Sequence, residues 1–518
     1  MPEKHVYRGT CRSGKRAMIL LPVFCLLLPL CTGAAPLESL PPYHYLVGPI
    51  EDLRIRGRFS DLDVTIFPYM RRSLTQDLVR LAPHNLTRKE VWMQTWLREG
   101  LAQGDTAATI MPGLRALRFS AGMVREREPT GKTDTDRWIT GTVTARPTPM
   151  VLAVTTVRVD QRFLDDPEYV GKRFRGMAGL TEQAYLRVTT GHLEVTFGRD
   201  WLWWGPGRFG QLMLSNLARP LDQVRLMWTV RAVTGVAFAA QLDPIEDSRR
   251  YLSGHRFVWR IHDRLTVGGS EVVLYGGPNR PPEWNFLNPL PIYAGESIND
   301  EGLTGDNNVL WGLDFRGRPT RKSEVYGELL IDDFQVEKKT PGDLEPDEIG
   351  ILIGGQWADP GGLEGMTLGI EYTRVWNRTY NQVHPWNRYL HRNQSLGYRG
   401  NDMDDVTVEM RSWLRPTLRG WVAWRQVRHG EGRMTDLWTT PWMAYTVEQG
   451  YSEPFPTGVV ERTRALVWEI EWHPKAGVFV TGRVDQEWVR HVGHISGRLE
   501  RRTRWMIVAT LWGDISPR

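Results

Sequence analysis

An alternation of apolar and polar residues runs from Leu114 to the end of the chain, and no other feature constrains the fold as strongly. Between Glu182 and Phe197, apolar side chains occupy every second position on both sides of a turn at residues 190–192. Successive side chains of a β-strand point to opposite faces, so this pattern predicts a β-hairpin. The same period predicts further strands at residues 224–230, 257–261, 309–315, 325–331, 368–372, 406–410, 466–472, 478–484 and 505–511. Residues 116–518 are therefore predicted to form one all-β unit.

Alternation alone does not distinguish a β-sandwich from a closed barrel. Aromatic residues favour a membrane barrel, because they gather near the ends of predicted strands, as they do in the girdles of outer-membrane barrels. The tryptophans at such positions are Trp228, Trp259, Trp311, Trp376, Trp413, Trp472, Trp488, Trp505 and Trp512. Short turns at 262–264 and 473–477 also alternate with long polar connections such as 276–308 and 377–405. We therefore expect an outer-membrane barrel with long extracellular loops on one rim.

The first 35 residues have the organisation of a secretory signal peptide. Basic residues precede an apolar run at 17–30, and the small residues Ala34 and Ala35 follow it. The run is shorter than the roughly 20 apolar residues of a membrane-spanning helix, so we expect cleavage near Ala34 or Ala35. All three cysteines fall inside this segment, at Cys11, Cys25 and Cys31. A mature chain without thiols suits a bacterial envelope protein rather than a small disulfide-stabilised domain.

Residues 36–115 follow a helical period instead. Leu74, Leu78 and Leu81 recur on one face, and Thr87 with Glu90 forms a capping box, in which side chains satisfy backbone N–H groups at a helix start. This segment predicts a small α-helical bundle ahead of the barrel.

Composition excludes several classes of protein. The chain has 65 Lys and Arg against 60 Asp and Glu, and it has no basic run of the kind that binds nucleic acid. A mean hydropathy of -0.39 excludes a bundle of membrane helices, so residence in a membrane requires a closed barrel. Outer-membrane barrels commonly end on an aromatic residue, whereas this chain ends on Arg518. The last strand, predicted at Trp505 to Trp512, would therefore stop short of the terminus.

The most individual sequence signature lies at residues 198–219, around Trp-Trp-Gly-Pro-Gly at 203–207. Sugar rings pack their C–H faces on aromatic planes, and sugar hydroxyls bind amide and guanidinium groups. This chemistry gives the first carbohydrate-binding candidates: Trp203, Trp204, Arg208, Asn216 and Arg219. The alternative interpretation is structural, with glycines that allow a tight turn and tryptophans that lock a plug or an inward-bent loop.

Aromatic and amide residues in the long connections form a second group of carbohydrate-binding candidates: Trp284, Asn285, Trp376 and Trp386. Their alternative role is an aromatic girdle beside an ordinary polar loop. Asp404 and Asp405 are adjacent and would point to opposite faces of a strand, which does not suit the paired carboxylates of a glycoside hydrolase. The histidines show no metal-ligand spacing. We predict no catalytic residue, no metal and no cofactor.

Spaced sequence blocks resemble the capsule assembly protein Wzi family. They are GRDW at 198–201 with WGPG at 204–207, LSN at 214–216 with ARP at 218–220, GDNN at 305–308 with GLDF at 312–315, YGE at 326–328 with DDF at 332–334, and Pro68-Tyr69 before Arg72. The resemblance covers roughly Tyr43 to Thr340. It implies an outer-membrane barrel of 18 antiparallel strands with an N-terminal helical bundle at the periplasmic end. It also implies a lectin-like role, in which the protein holds secreted polysaccharide on the cell surface.

The residues and the resemblance together predict a non-enzymatic, monomeric outer-membrane protein that binds and organises or anchors capsular or other surface polysaccharide. Its predicted partners are that polysaccharide and outer-membrane lipid. Two alternatives stay open at this stage. The same barrel with an open lumen would be a channel for small solutes, and a soluble β fold would be a secreted glycan-active enzyme.

Overall fold

A computed structural model describes residues 38–515, apart from 41, 43, 60–64, 70, 82–84, 103–113, 128–132, 167–168, 170, 300–306, 336–337 and 476. The predicted signal peptide at 1–35 lies outside the described residues. Within the described ranges, none of the helices has the length and apolar character needed to cross a membrane.

Eighteen antiparallel strands close into one barrel, as the resemblance predicted. They are β1 (Leu114–Arg127), β2 (Thr133–Thr148), β3 (Val151–Asp160), β4 (Met177–Thr190), β5 (Leu193–Asp200), β6 (Leu221–Val230), β7 (Val233–Gln241), β8 (Ser248–His262), β9 (Leu265–Pro278), β10 (Asn307–Thr320), β11 (Ser323–Asp333), β12 (Glu348–Ala358), β13 (Met366–Val375), β14 (Met403–Arg415), β15 (Leu418–His429), β16 (Glu461–Lys475), β17 (Val478–Arg490) and β18 (Leu499–Ile515). Each strand pairs with its neighbours in sequence, and β1 pairs with β18 to close the sheet. Closure leaves no unpaired strand edge, which a membrane requires.

The alternation read from the sequence separates the wall into two faces. On β12, Ile351, Ile353 and Trp357 point outward with 39%, 54% and 52% of their surface exposed, whereas Leu352 between them is 1% exposed and faces the interior. The same division recurs around the barrel, where each of the eighteen strands exposes at least one large apolar side chain. An apolar exterior is the surface that a barrel presents to lipid, so this is an outer-membrane β-barrel.

The two rims of the barrel differ in the length of their connections. One, the short-turn rim, carries two-residue turns such as 191–192, 263–264 and 416–417. The other, the long-loop rim, carries connections such as 376–402 and 430–460. The predicted contrast between tight turns and long polar segments is confirmed.

In the described part of the chain, three helices precede the barrel and pack at its short-turn rim: α1 (Val47–Ile55), α2 (Arg71–Arg80) and α3 (Arg88–Ala102). The predicted capping box starts α3, with Thr87 N donating to Glu90 Oε2 at 2.8 Å and Glu90 N donating to Thr87 Oγ1 at 3.4 Å. From the same helix, Trp96 Nε1 donates to the carbonyl oxygen of Pro416 in a short turn, at 2.7 Å. The helices are thereby fixed to the barrel wall.

The environment of Trp413, which contacts a buried carboxylate on α1, differs from the prediction made from the sequence. Trp413 was expected in the aromatic girdle, but it faces the interior, is 1% exposed, and donates from Nε1 to Asp52 at 2.8 Å. Arg419 and Arg411 lie at 3.0 and 3.2 Å from the same carboxylate. Burial opposes ionisation, but these two guanidinium groups outweigh it and hold the pKa of Asp52 below its ordinary value. Trp413 therefore completes the seat of α1 and does not meet lipid.

The last strand also differs from the prediction, because β18 continues to Ile515 and does not stop at Trp512. Its backbone pairs with β1 along this extension, with Gly513 opposite Phe119. Closing the barrel requires hydrogen-bond partners for β1, and these last residues supply them.

Two connections of the long-loop rim turn into the lumen. The first, residues 201–220, is called the inward segment below; the second is loop 376–402. Ser215 N donates to the carbonyl oxygen of Leu396 at 2.7 Å, and Tyr380 Oη donates to the carbonyl oxygen of Leu212 at 2.5 Å, so the two connections are bonded to each other. Their buried side chains join one hydrophobic cluster with the inner faces of the wall.

Candidate functional site

The tryptophan pair at the start of the inward segment is anchored inside the barrel. Trp203 and Trp204 form a short antiparallel pairing with Phe67 and Ile66 of the N-terminal segment. The ring of Trp203 stacks on Phe67 at 3.3 Å with an interplanar angle of 4°. Trp204 is fully buried and meets Phe238 of β7 edge to face at 5.3 Å. Both rings thus join the inward segment to its surroundings, as the structural interpretation of this motif describes.

The glycines of the motif bring the backbone onto a carboxylate of the wall. Glu328 on β11 accepts from Gly207 N at 2.7 Å and from Leu212 N at 2.8 Å. Gly205 has a φ of 126°, and a Cβ there would lie 2.4 Å from Glu328 Oε1. A side chain at Gly207 would lie 2.0 Å from the carbonyl oxygen of Gly210. Only glycine permits this approach, so the motif specifies a close seat for the backbone.

Arg208 ties the inward segment to two other parts of the molecule. Its Nε donates to Glu409 on β14 at 2.5 Å and its Nη1 donates to Glu51 on α1 at 3.2 Å. Its backbone N donates to Glu371 on β13 at 2.7 Å. Burial opposes the charge, but Glu409 and Glu51 outweigh it and raise the pKa of Arg208 above its ordinary value. The side chain is fully engaged within the barrel.

The end of the inward segment reaches the long-loop rim. Asn216 is exposed there. Arg219 forms an ion pair with Asp166 and is partly buried. It lines a cavity of about 490 Å³ together with Arg199 and Arg392. Asn216 and Arg219 are therefore the candidates of the 198–219 block that lie at the long-loop rim.

Loop 376–402 presents the candidates Trp376 and Trp386. The Trp376 ring lies 4.2 Å from the guanidinium carbon of Arg374, which also lies 3.7 Å from the ring of Phe455. Trp386 stacks on His384 at 4.6 Å with an interplanar angle of 15°. Both tryptophans are half-buried, so each keeps part of its surface for a ligand.

Loop 430–460 adds aromatic residues that the sequence analysis missed. The guanidinium of Arg378 lies 5.1 Å from the ring of Trp438 and 4.4 Å from that of Trp442. Glu453 holds the same guanidinium through an Nη2 bond of 2.8 Å. The sequence could have indicated this group, because four aromatic residues lie close together in the loop: Trp438, Trp442, Tyr445 and Tyr451. This density of aromatics in a polar loop resembles that of the loop containing Trp376.

Comparison with known proteins places this barrel in a family. Residues 153–497 match the family model described as capsule assembly protein Wzi. The chain belongs to the capsule assembly protein Wzi family. The match extends well beyond Thr340, where the sequence blocks that carry the resemblance end. No curated protein sequence gives a significant match to this family member.

The solved structure of a family member shows the same fold. Wzi of Escherichia coli, described as an outer-membrane protein involved in group 1 capsule assembly and as a carbohydrate-binding β-barrel, is 14% identical with a TM-score of 0.63, and the match covers 92% of this chain and 99% of that one. Pseudomonas aeruginosa OccD3 (OpdP) is 10% identical with a TM-score of 0.46, covering 80% of this chain and 94% of its own. OpdQ of the same organism is 8% identical with a TM-score of 0.45, covering 78% and 100%.

Trp284 and Asn285 lie elsewhere in this Wzi-family barrel. They belong to the short helix α4 (Trp284–Leu287), which precedes α5 (Tyr293–Asn299) in the β9–β10 connection. Glu271, on the outward face of β9, accepts from the first two backbone N–H groups of α5, at 2.7 and 2.9 Å. The connection therefore folds over the outside of the wall, with Trp284 84% exposed.

The adjacent acids of the Wzi-family chain are engaged in ion pairs. Asp404 pairs with Arg428, and Asp405 pairs with Arg425 while it accepts from Tyr398 Oη at 3.0 Å. Among the described residues, no group of three or more His, Cys, Asp or Glu is arranged to hold a metal ion.

Proposed function

We propose that this outer-membrane barrel binds surface polysaccharide through its long-loop rim, without catalysing a reaction, and so holds the polymer at the cell surface. In this proposal the signal peptide at 1–35 is removed and the mature chain acts as a monomer. The helices of the 36–115 segment face the periplasm and the long loops face outward. Membership of the capsule assembly protein Wzi family supports a role in polysaccharide binding. Wzi of E. coli, which has the same fold, is described as a carbohydrate-binding β-barrel.

The observation that carries the proposal is the group of aromatic rings held by arginines on loops 376–402 and 430–460. Trp376 and Trp438 are both half-buried and each lies against a guanidinium, at 4.2 and 5.1 Å. Such pairs keep a flat ring in a fixed orientation, and a fixed ring is a ready surface for the C–H face of a sugar. Arg374 also supplies donors for sugar hydroxyls. We place the main contact here, with Trp386 and Asn216 beside it.

Trp203, Trp204 and Arg208 take a different place in the proposal. Their contacts hold the inward segment, so a sugar would reach them only after that segment moved. Trp284 and Asn285 would meet polymer that passes along the outside of the barrel. We therefore expect substitutions in the loop aromatics to affect binding more than substitutions in either of these groups.

The cellular experiment is deletion of the gene, followed by measurement of polysaccharide attached to cells and released into the medium. The proposal expects a shift from the attached to the released fraction with total synthesis unchanged. Unchanged attachment would contradict it.

The biochemical experiment measures the affinity of the purified barrel for polysaccharide from the same bacterium. Trp376→Ala should weaken binding about tenfold, which corresponds to roughly 1.4 kcal/mol, within the range of a lost aromatic contact. Trp472→Ala is the matched control, because Trp472 is 47% exposed on the outward wall. Equal loss in both variants would assign the effect to stability and not to a binding surface.

A further inference from the structure

Three arginines from separate parts of the chain line the cavity of about 490 Å³ at the long-loop rim. Arg199 belongs to β5, Arg219 ends the inward segment, and Arg392 lies in loop 376–402. Each arginine comes from a different strand or connection, so the packing of the barrel does not explain why the three meet at one cavity.

Asp222 and Asp243 also line the cavity, but they do not satisfy all of these cations. Arg199 donates twice to Asp222, at 2.9 and 2.6 Å. Arg219 is paired with Asp166 through Nη2, but its Nη1 is buried and has no hydrogen-bond partner among the described residues. The Nη1 group of Arg219 is therefore a buried donor that no acceptor in the described part of the chain satisfies.

Arg392 is the least satisfied of the three. Its guanidinium has no hydrogen-bond or ion-pair partner within the described ranges. The nearby Asp243 accepts instead from the Arg392 backbone N at 2.8 Å and is paired with His391 at 2.9 Å and Arg250 at 3.5 Å. Burial and the charges of Arg219 and Arg199 lower the pKa of Arg392 by more than Asp243 and Asp222 raise it. A bound anion would relieve this repulsion.

The cavity lies directly above the lipid-facing wall. Arg199 and Asp222 are paired across β5 and β6 and both point outward. The next outward pair along these strands is Phe197 with Val224, which are 65% and 48% exposed. Leu186 on β4 continues that row and is 44% exposed. An anion in the cavity would thus sit one step above apolar surface, at the height where acyl chains give way to headgroups.

We propose that Arg199, Arg219 and Arg392 bind the phosphate of an outer-leaflet lipid headgroup, whose acyl chains lie against the row of Phe197, Val224 and Leu186. Guanidinium groups suit phosphate because they offer paired donors in one plane. The outward position favours a lipid over a polymer, because Arg199 and Asp222 point away from the lumen, next to the exposed apolar pair Phe197 and Val224 of the wall. This inference does not depend on polysaccharide binding.

The test titrates the purified mature protein in detergent with lipid A that carries two phosphates, one phosphate or none, and follows bound lipid by native mass spectrometry. We expect affinity to fall about tenfold or more with loss of the bound phosphate, the scale of one charge-assisted hydrogen bond. Arg392→Gln should weaken binding of the bisphosphorylated lipid to a similar extent. Arg264→Gln, an exposed residue in a turn of the opposite rim, is the matched control and should bind like the wild type.

Each other outcome overturns the proposal. Equal binding of the phosphate-free lipid would show that acyl chains alone are recognised. Full displacement of lipid A by an equal concentration of inorganic phosphate would indicate a site for free anions, and displacement by alginate at lower concentration would assign the arginines to an acidic polymer. Wild-type affinity in both Arg392→Gln and Arg219→Gln would remove the site. Heat-modifiable gel mobility checks folding, and Arg392→Gln is the safer variant because it breaks no ion pair.

Discussion

Replacing Arg208 with alanine tests whether the inward segment is held in the lumen by its ion pairs. The substitution removes the bonds from Nε to Glu409 and from Nη1 to Glu51. Removing one partner of a buried pair costs about 3–5 kcal/mol, because the other charge is left behind. Glu409 is fully buried but keeps Arg411 at 3.4 Å, and Arg208 retains 20% exposure. We therefore take the lower end, about 3 kcal/mol.

The assay is single-channel conductance of the purified barrel in a planar lipid bilayer. If this loss falls on the docked inward segment, about 3 kcal/mol shifts its released population roughly 150-fold, at 1.36 kcal/mol per tenfold. We expect a mostly closed wild type and frequent openings in Arg208→Ala. Arg208→Lys should lie between them, because lysine keeps the charge but cannot reproduce the guanidinium geometry.

Two results would refute this reasoning. A wild type that already conducts steadily would favour the solute-channel alternative over a lumen occupied by the inward segment. An Arg208→Ala variant that stays closed would show that Trp204 and Glu328 hold the segment without the arginine. Arg264→Ala, which changes an exposed arginine of the short-turn rim, controls for nonspecific effects of lost charge on conductance.

Three further predictions follow from individual contacts. Thr87→Ala should lower stability by about 1 kcal/mol through loss of the capping box, measured by denaturant unfolding. Burial raises the pKa of Asp243, but the hydrogen bonds from His391 and the Arg392 backbone N together with the charge of Arg250 outweigh it, so the pKa is lowered. The stabilisation by this carboxylate is therefore present above the unfolded pKa of about 3.9 and is lost as pH falls through the lower folded value. The difference in melting temperature between wild type and Asp243→Asn should accordingly shrink from pH 6 to pH 3. Glu271→Ala removes the acceptor for the Tyr293 N–H group and should increase hydrogen exchange at the start of α5 while the barrel strands stay protected.

The strands could be predicted from the sequence because their signal is local. A barrel wall between lipid and interior requires a period of two, and the hairpin at 182–197 shows it directly. The number of strands came from the family resemblance, because some strands alternate too weakly to be recognised from the sequence pattern. The predicted environment of Trp413 was wrong because a position near a strand end does not reveal which face of the wall a side chain occupies. The hydrogen bond from Trp413 to Asp52 places it on the inner face.

The candidate site was harder to predict because its contacts join distant parts of the chain. Arg208 meets Glu51 and Glu409 across 157 and 201 positions. The sequence showed that these residue types exist but not that they meet. For Trp376 the composition of the loop was informative, whereas its partner Phe455 lies on another loop. Local chemistry therefore identified candidate residues, and only the closed barrel decided which of them remain available to a ligand.

The inward segment bears on the proposed function because it holds several of its polar and aromatic groups in the interior, away from any ligand. Its backbone is bound to Glu328, its arginine to two carboxylates and Trp204 to the interior, so these groups are occupied before any ligand arrives. A lumen occupied in this way is poorly suited to passing a polymer, whereas the loops above it still present half-exposed rings. The family signature at 203–207 therefore fits the proposed function indirectly: it fills the interior, and recognition is proposed to lie in loops 376–402 and 430–460.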